Sequence, residues 1–195
     1  VMPRQMNRTF YFLEKIKDYD IDGLLVTNLG TIYTAAKSTD LPLYADYSCN
    51  IANQAAAEIF KEYQVIQGTV PIELHWEEIM AMTGKELPVE AVIHGNLPSM
   101  VTEHCLPAAL LEGTTRAQLC SGICRKRPYG LKDTAGKVHS VEIDQNCRNH
   151  IYMANELALL PYLYSFYGAG FTSLRLEIPL YKADEAGAVT KLYRQ

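Results

Sequence analysis

Four cysteines crowd into one stretch of the chain, at the spacing Cys105-x14-Cys120-x3-Cys124-x22-Cys147. Thiolates bind soft and borderline metals, and four of them complete either a tetrahedral zinc site or a cubane iron–sulfur cluster. The C-x3-C step is looser than the C-x2-C knuckle of zinc ribbons, so the spacing does not by itself choose the metal. Arg125-Lys-Arg127 follows Cys124, and Arg148 follows Cys147. Positive charge beside thiolates lowers their pKa and offsets the negative charge of a ligated cluster. The competing reading is a set of half-cystines or packed core thiols. An odd total of five cysteines, in a chain with no export signal, favours metal ligands over a disulfide framework. Cys49, outside the spacing, reads as a packed and inert thiol.

The elements that must hold these residues are bounded by size and composition. The chain has 195 residues, with 48% hydrophobic and 21% charged side chains and a net charge of −4. That length fits one domain, or the greater part of a barrel that runs to about 250 residues. The hydrophobic share suits a buried core and excludes disorder. The acidic balance argues against a whole-chain grip on nucleic acid. It leaves the local patch Arg125-Lys-Arg-Pro-Tyr129 as a candidate RNA contact, with Tyr129 as a stacking surface. No apolar run approaches the roughly 18–20 residues needed to span a bilayer, and the N-terminus does not read as a signal peptide. A soluble, cytoplasmic chain is expected.

Short apolar or β-branched runs recur at Gly23–Thr27, Leu43–Asp46, Val65–Val70 and Val89–His94, their starts separated by 20, 22 and 24 residues. Helical segments lie among them at Asn7–Lys17, Ile51–Tyr63 and His75–Met82. Strands alternating with helices at this period mean βαβ units and a parallel sheet, here over residues 1–94. The rhythm breaks over 95–147, a cysteine-rich insertion with a β-hairpin at Tyr129–Asp133 and Val138–Ile143 around a Thr134-Ala-Gly136 turn. Residues 148–195 should close the domain as a helix over His150–Tyr167 interrupted at Pro161, a strand at Ser173–Ile178 and a helix at Ala183–Tyr193. With Val1–Arg4 as a first strand this gives about six βα-type strands, fewer than the eight of a closed barrel. A chain that starts with Val and ends abruptly in a helix reads as a segment of a longer polypeptide. Its exposed strand edges should pair with the remainder of that parent chain or with a second copy.

Barrel enzymes carry their chemistry at the C-terminal ends of the strands. The polar residues there are Asn28, Asp46 with Asn50, Glu73, His94 and Glu177. Asn28 and Asn50 equally suit caps or turns, Glu73 suits a helix start, and His94 suits a satisfied core histidine. HExxH and GxSxG are both missing, so the residues themselves offer little hydrolase chemistry.

The run His94-Gly-Asn-Leu-Pro-Ser-Met-Val-Thr-Glu-His-Cys105 resembles the signature stretch of the collagenase-like peptidases of the U32 family. The resemblance continues through Cys120-x3-Cys124-Arg125, Tyr129-Gly-Leu-Lys-Asp133 and Asp144-Gln-Asn-Cys147. Upstream it takes in Pro3-Arg4, Asp22 to Gly30, Asp46-Tyr-Ser-x-Asn50 and Glu73-Leu74; downstream it takes in Leu174-Arg-Leu-Glu177 and Tyr193-Arg194. The match most resembles the C-terminal half-barrel segment of the longer members. It implies an α/β fold, a partial TIM-type barrel with a cysteine-bearing loop and a hairpin insertion. It further implies a 4Fe-4S cluster on Cys105, Cys120, Cys124 and Cys147, with zinc as the alternative. Asp46, Asn50, Glu73 and His94 would line the adjoining pocket. The activities implied are oxygen-independent hydroxylation of RNA or of a small aromatic substrate, or the peptidase activity of the family name. A structural four-cysteine zinc module that binds RNA or a partner is the non-enzymatic alternative. Two departures stand out: Ile178-Pro179 replaces the Gly-Arg that often follows the last-strand glutamate, and Pro98 stands where many members have an extra cysteine.

Overall fold

A computed structural model describes residues 6–114 and 120–194; the expected first strand at Val1–Arg4 lies outside the described residues. The fold is mixed α/β. In chain order its strands are β1 (Leu24–Val26), β2 (Leu43–Ala45), β3 (Val65–Thr69), β4 (Val89–Gly95), β5 (Pro98–Thr102), β6 (Tyr129–Lys132), β7 (Val138–Ile143), β8 (Asn149–Tyr152), β9 (Leu157–Ala158) and β10 (Ser173–Glu177). The helices are α1 (Met6–Lys15), α2 (Leu29–Ser38), α3 (Gln54–Lys61), α4 (Trp76–Met82), α5 (Leu106–Glu112), α6 (Leu163–Ala169) and α7 (Ala183–Tyr193). The chain divides into two compact units, Val1–Ile93 with Leu160–Arg175 and His94–Leu159 with Leu176–Gln195.

The first unit is the regular one. β1, β2, β3 and β4 pair in parallel, in the register Leu24↔Leu43, Ala45↔Gly68 and Thr69↔Glu90, and β10 lies beside β4. The recurrent runs become strands because their β-branched and aliphatic residues fit a sheet covered by helices. Leu43, Val65, Val89 and Ile93 are almost fully buried, as are Ile32 and Ala35 of α2 and Phe60 of α3. α2 joins β1 to β2 and was not foreseen as a separate helix. It starts behind Asn28, whose side chain accepts a 2.9 Å hydrogen bond from the Thr31 N–H, an N-cap. The helix expected over Ile51–Tyr63 is shorter, because Tyr47–Cys49 forms a 3-10 turn and Asn53 caps α3 through the Ala56 N–H. Among the described residues the sheet runs open from β1 to β10, with no closed barrel.

The second unit is built around an antiparallel sheet, ordered β5-β8-β7-β6. β6 and β7 are the expected hairpin, closed where Asp133 accepts from the Lys137 N–H at 2.9 Å. The helix expected over His150–Tyr167 is corrected. Asn149–Tyr152 is a strand, held between β5 and β7, and Leu157–Ala158 is a short strand antiparallel to the end of β4. Pro161 lies in a 3-10 turn, and the helix begins only at Leu163. Leucines at helical spacing lost to strand pairing on both sides of Ile151, a tertiary override of local pattern. Gly95 shows why the His94-Gly-Asn96 step needs its glycine. Its φ is 123°, and a Cβ there would sit 1.8 Å from the Glu177 carbonyl oxygen. That close approach lets the Asn96 N–H donate to the same oxygen at 2.7 Å. No helix among the described residues is long and apolar enough to cross a membrane.

Candidate functional site

Each cysteine of the second unit is presented by a different local device. Cys105 lies three residues past the end of β5 and is the N-cap of α5, with Pro107 inside the first turn, where a missing N–H costs nothing. Cys120 accepts from the Gly122 N–H at 3.2 Å, and Gly122, at φ 72°, turns the chain into the 3-10 turn Ile123–Arg125 that carries Cys124. Cys147 is the exposed one and has a φ of 60°, a left-handed conformation that costs a residue with a Cβ. Asp144 builds the turn that holds it. The Asp144 carbonyl accepts from the Cys147 N–H at 3.0 Å, and its carboxylate accepts from the N–H groups of Asn146 and Arg148 at 2.8 and 2.9 Å. The Arg148 guanidinium and His150 also bind that carboxylate, at 2.7 and 3.3 Å. These hydrogen bonds, with the nearby charge, outweigh desolvation and hold the Asp144 carboxyl down at about 2.

Burial first, then the presence of Cys105, Cys120 and Cys147, pushes the Cys124 thiol up, because forming a thiolate there is opposed by the other three sulfurs. All four thiols are free rather than paired in disulfides. They are not drawn to coordination distance: among the described residues, no group of three or more histidine, cysteine, aspartate or glutamate side chains stands where it could hold a metal ion.

His94 also belongs to the second unit. Its Nε2 lies 2.9 Å from the Tyr181 hydroxyl and its Nδ1 lies 3.2 Å from the Tyr193 hydroxyl. Tyr181 donates to a Glu156 oxygen at 2.6 Å, which leaves its own oxygen to accept from the His94 Nε2–H. The ring is therefore held between two tyrosine hydroxyls. Desolvation, followed by the hydrogen bond to Glu156, pushes the Tyr181 phenol up to about 12. Asn96 donates to the other Glu156 oxygen at 2.8 Å, while its own Oδ1 is buried with no hydrogen-bond partner among the described residues.

Asp46, Asn50 and Glu73 lie in the first unit. Asp46 is buried and ion-paired to Arg175 at 2.5 Å. Arg175 reaches Glu90 at 3.5 Å and covers the Tyr47 ring, while Glu90 also accepts from Thr69 and Ser173 at 3.0 and 2.9 Å. Asn50 takes a left-handed conformation, φ 54°, at the end of the Tyr47–Cys49 turn, and Glu73 is exposed in the turn before α4. Cys49 donates to the Val26 carbonyl at 3.4 Å, and burial with the adjacent Asp46 charge pushes its thiol up to about 11, the behaviour of an inert buried thiol. Sequence reasoning missed Arg175, Glu90, Asp144 and Asn149 as site-building residues. A cation inside the run Ser173-Leu-Arg-Leu-Glu177 was the one available signal.

One unit with a parallel α/β sheet, and one in which an antiparallel sheet and short turns carry four free thiols, define a cysteine-bearing α/β protein. The family model for peptidase family U32 matches residues 1–195, and the chain belongs to that family. No curated protein and no solved structure matches it.

Proposed function

We propose that this chain is an iron–sulfur segment of an oxygen-independent, hydroxylase-type enzyme. Cys105, Cys120, Cys124 and Cys147 hold its 4Fe-4S cluster. The observation that carries the reading is that all four are free thiols and lie in one compact unit, His94–Leu159 with Leu176–Gln195. The donor set fits such a group: four sulfurs, three of them half-buried, with exposed Arg125 next in sequence to one and half-buried Arg148 next to another. When bound, the cluster supplies one-electron chemistry. The chain's own residues do the rest: Asp144 fixes the turn under Cys147, and His94 is oriented by the hydroxyls of Tyr181 and Tyr193. The buried Asn96 Oδ1 offers an acceptor to an N–H or O–H of a bound molecule. The exposed Arg125-Lys126-Arg127 run, with Arg127 5.5 Å from the Tyr129 ring, suits a phosphodiester substrate such as RNA. In the first unit, the parallel βα repeat is part of a TIM-type barrel.

Anaerobic purification with iron and acid-labile sulfide analysis tests the reading. A brown protein with about four irons per chain is expected, and replacing any one of the four cysteines by serine should remove the chromophore. One tightly bound zinc without sulfide would replace the cluster with a structural zinc module. The peptidase reading rests on the family's name. It predicts cleavage of gelatin or casein that survives loss of the cysteines, and absence of cleavage would end it.

A further inference from the structure

We propose that Asn149 is a positioning residue that sets Cys105 against Cys147, an inference that rests on the four-cysteine reading above. Asn149 is 0% exposed, and its three side-chain hydrogen bonds all go to main chain. Its Oδ1 accepts from the Leu106 N–H at 3.1 Å, and its Nδ2 donates to the His104 carbonyl at 2.8 Å and the Thr102 carbonyl at 3.4 Å. Leu106 and His104 are the two neighbours of Cys105, and Asn149 itself follows Cys147 by two residues. One carboxamide therefore ties the peptide groups on both sides of one thiol to the strand that leaves the other. The strand pairing Thr102↔Asn149 fixes the register from which it reaches.

The chemistry of the side chain is specific. Asparagine offers one acceptor and two donors from a short, planar head. Aspartate keeps the shape and the acceptor but places an oxygen against the His104 and Thr102 carbonyls, with no proton to offer. A buried amide that is fully satisfied specifies a single geometry, and here that geometry is the approach of the Cys105 turn to β8. Together with the Asp144 turn under Cys147, it sets two of the four sulfurs before any metal arrives.

The test uses the full chain, metal-free and anaerobic, with a short bifunctional maleimide and mapping of the Cys105–Cys147 adduct by mass spectrometry. Asn149→Asp and Asn149→Ser are compared with Ile151→Ala, which weakens the same sheet without touching the clamp. The expected result is at least a fivefold slower cross-link in the Asn149 variants, with wild-type far-ultraviolet circular dichroism and a wild-type rate in Ile151→Ala. Reconstituted iron content should fall in parallel. If the wild type takes up no iron while the cross-linking difference persists, the cluster reading fails and the clamp stands. If the Asn149 variants cross-link at the wild-type rate, or slow no more than Ile151→Ala, the clamp is overturned. If neither Asn149 variant folds, Asn149 is a core residue of the fold, and the clamp is overturned too.

Discussion

The two units of this chain are held together in different ways. The parallel sheet of the first unit is organised by burial, with Leu43, Ala45, Val65, Val89 and Ile93 nearly inaccessible to water. In the second unit the segments that carry the clustered cysteines are organised by directed hydrogen bonds. Asn149 and Asp144 bind main-chain groups around Cys105 and Cys147, and Gly95 lies flat against the backbone of Glu177. Burial is non-directional and tolerates many sequences, whereas a side chain that satisfies particular peptide groups tolerates few. The scaffold should therefore respond to lost volume, and the thiol-bearing segments to lost polar atoms.

The largest effect tests the scaffold. Leu43 is 0% exposed at the centre of the β1–β2–β3 pairing, so Leu43→Ala loses transfer energy and leaves a cavity. About 2–5 kcal/mol of destabilisation is expected by urea unfolding, with the reactivity of the four clustered thiols unchanged under native conditions. A loss below about 1 kcal/mol would mean that burial is not what holds this sheet.

Arg175 is where the contrast can be broken from the other side. In a unit held by apolar packing it pairs with Asp46 and Glu90, with side chains 17%, 13% and 18% exposed. Arg175→Met keeps the volume and removes the cation, leaving two carboxylates facing each other with little water. Removing one partner of a fully buried pair costs about 3–5 kcal/mol, and the partial exposure here lowers the expected loss to about 2 kcal/mol. Adding Asp46→Asn and Glu90→Gln to Arg175→Met should recover most of it. If the triple variant is no more stable than the single one, the network is not an electrostatic unit.

What the sequence disclosed follows the same division. The recurrent runs at 20 to 24 residues were readable because burial imposes a period, and β1 to β4 fall where those runs lie. The hairpin at Tyr129–Ile143 was readable from its turn. α2 was overlooked although its cap, Asn28, had been weighed. The strand at Asn149–Tyr152 was hidden because its identity comes from partners on both sides, β5 and β7, and not from its own pattern. The cysteines were conspicuous as residue types. Asn149 was silent, since a buried amide that binds peptide groups has no periodic signature. Nor does the sequence bring out the pairing of Asp46 with Arg175, which lies 129 residues away in the chain.

Cys147 gives the smallest effect and separates use from stability most cleanly. Its φ of 60° is the left-handed region, where a Cβ crowds the following carbonyl and glycine is at ease. Three residues earlier, Asp144 secures the turn through main-chain contacts that need no side chain at 147. Cys147→Gly should therefore stabilise the metal-free protein by about 1 kcal/mol in urea unfolding, while removing one thiol from the set. At Cys124, in a right-handed 3-10 turn, the same change relieves nothing, and glycine should cost about 1 kcal/mol there. Opposite signs at the two cysteines mean that position 147 accepts strain in order to present a sulfur. If Cys147→Gly is as destabilising as Cys124→Gly, the side chain at 147 belongs to the packing, and the second unit is held more like the first.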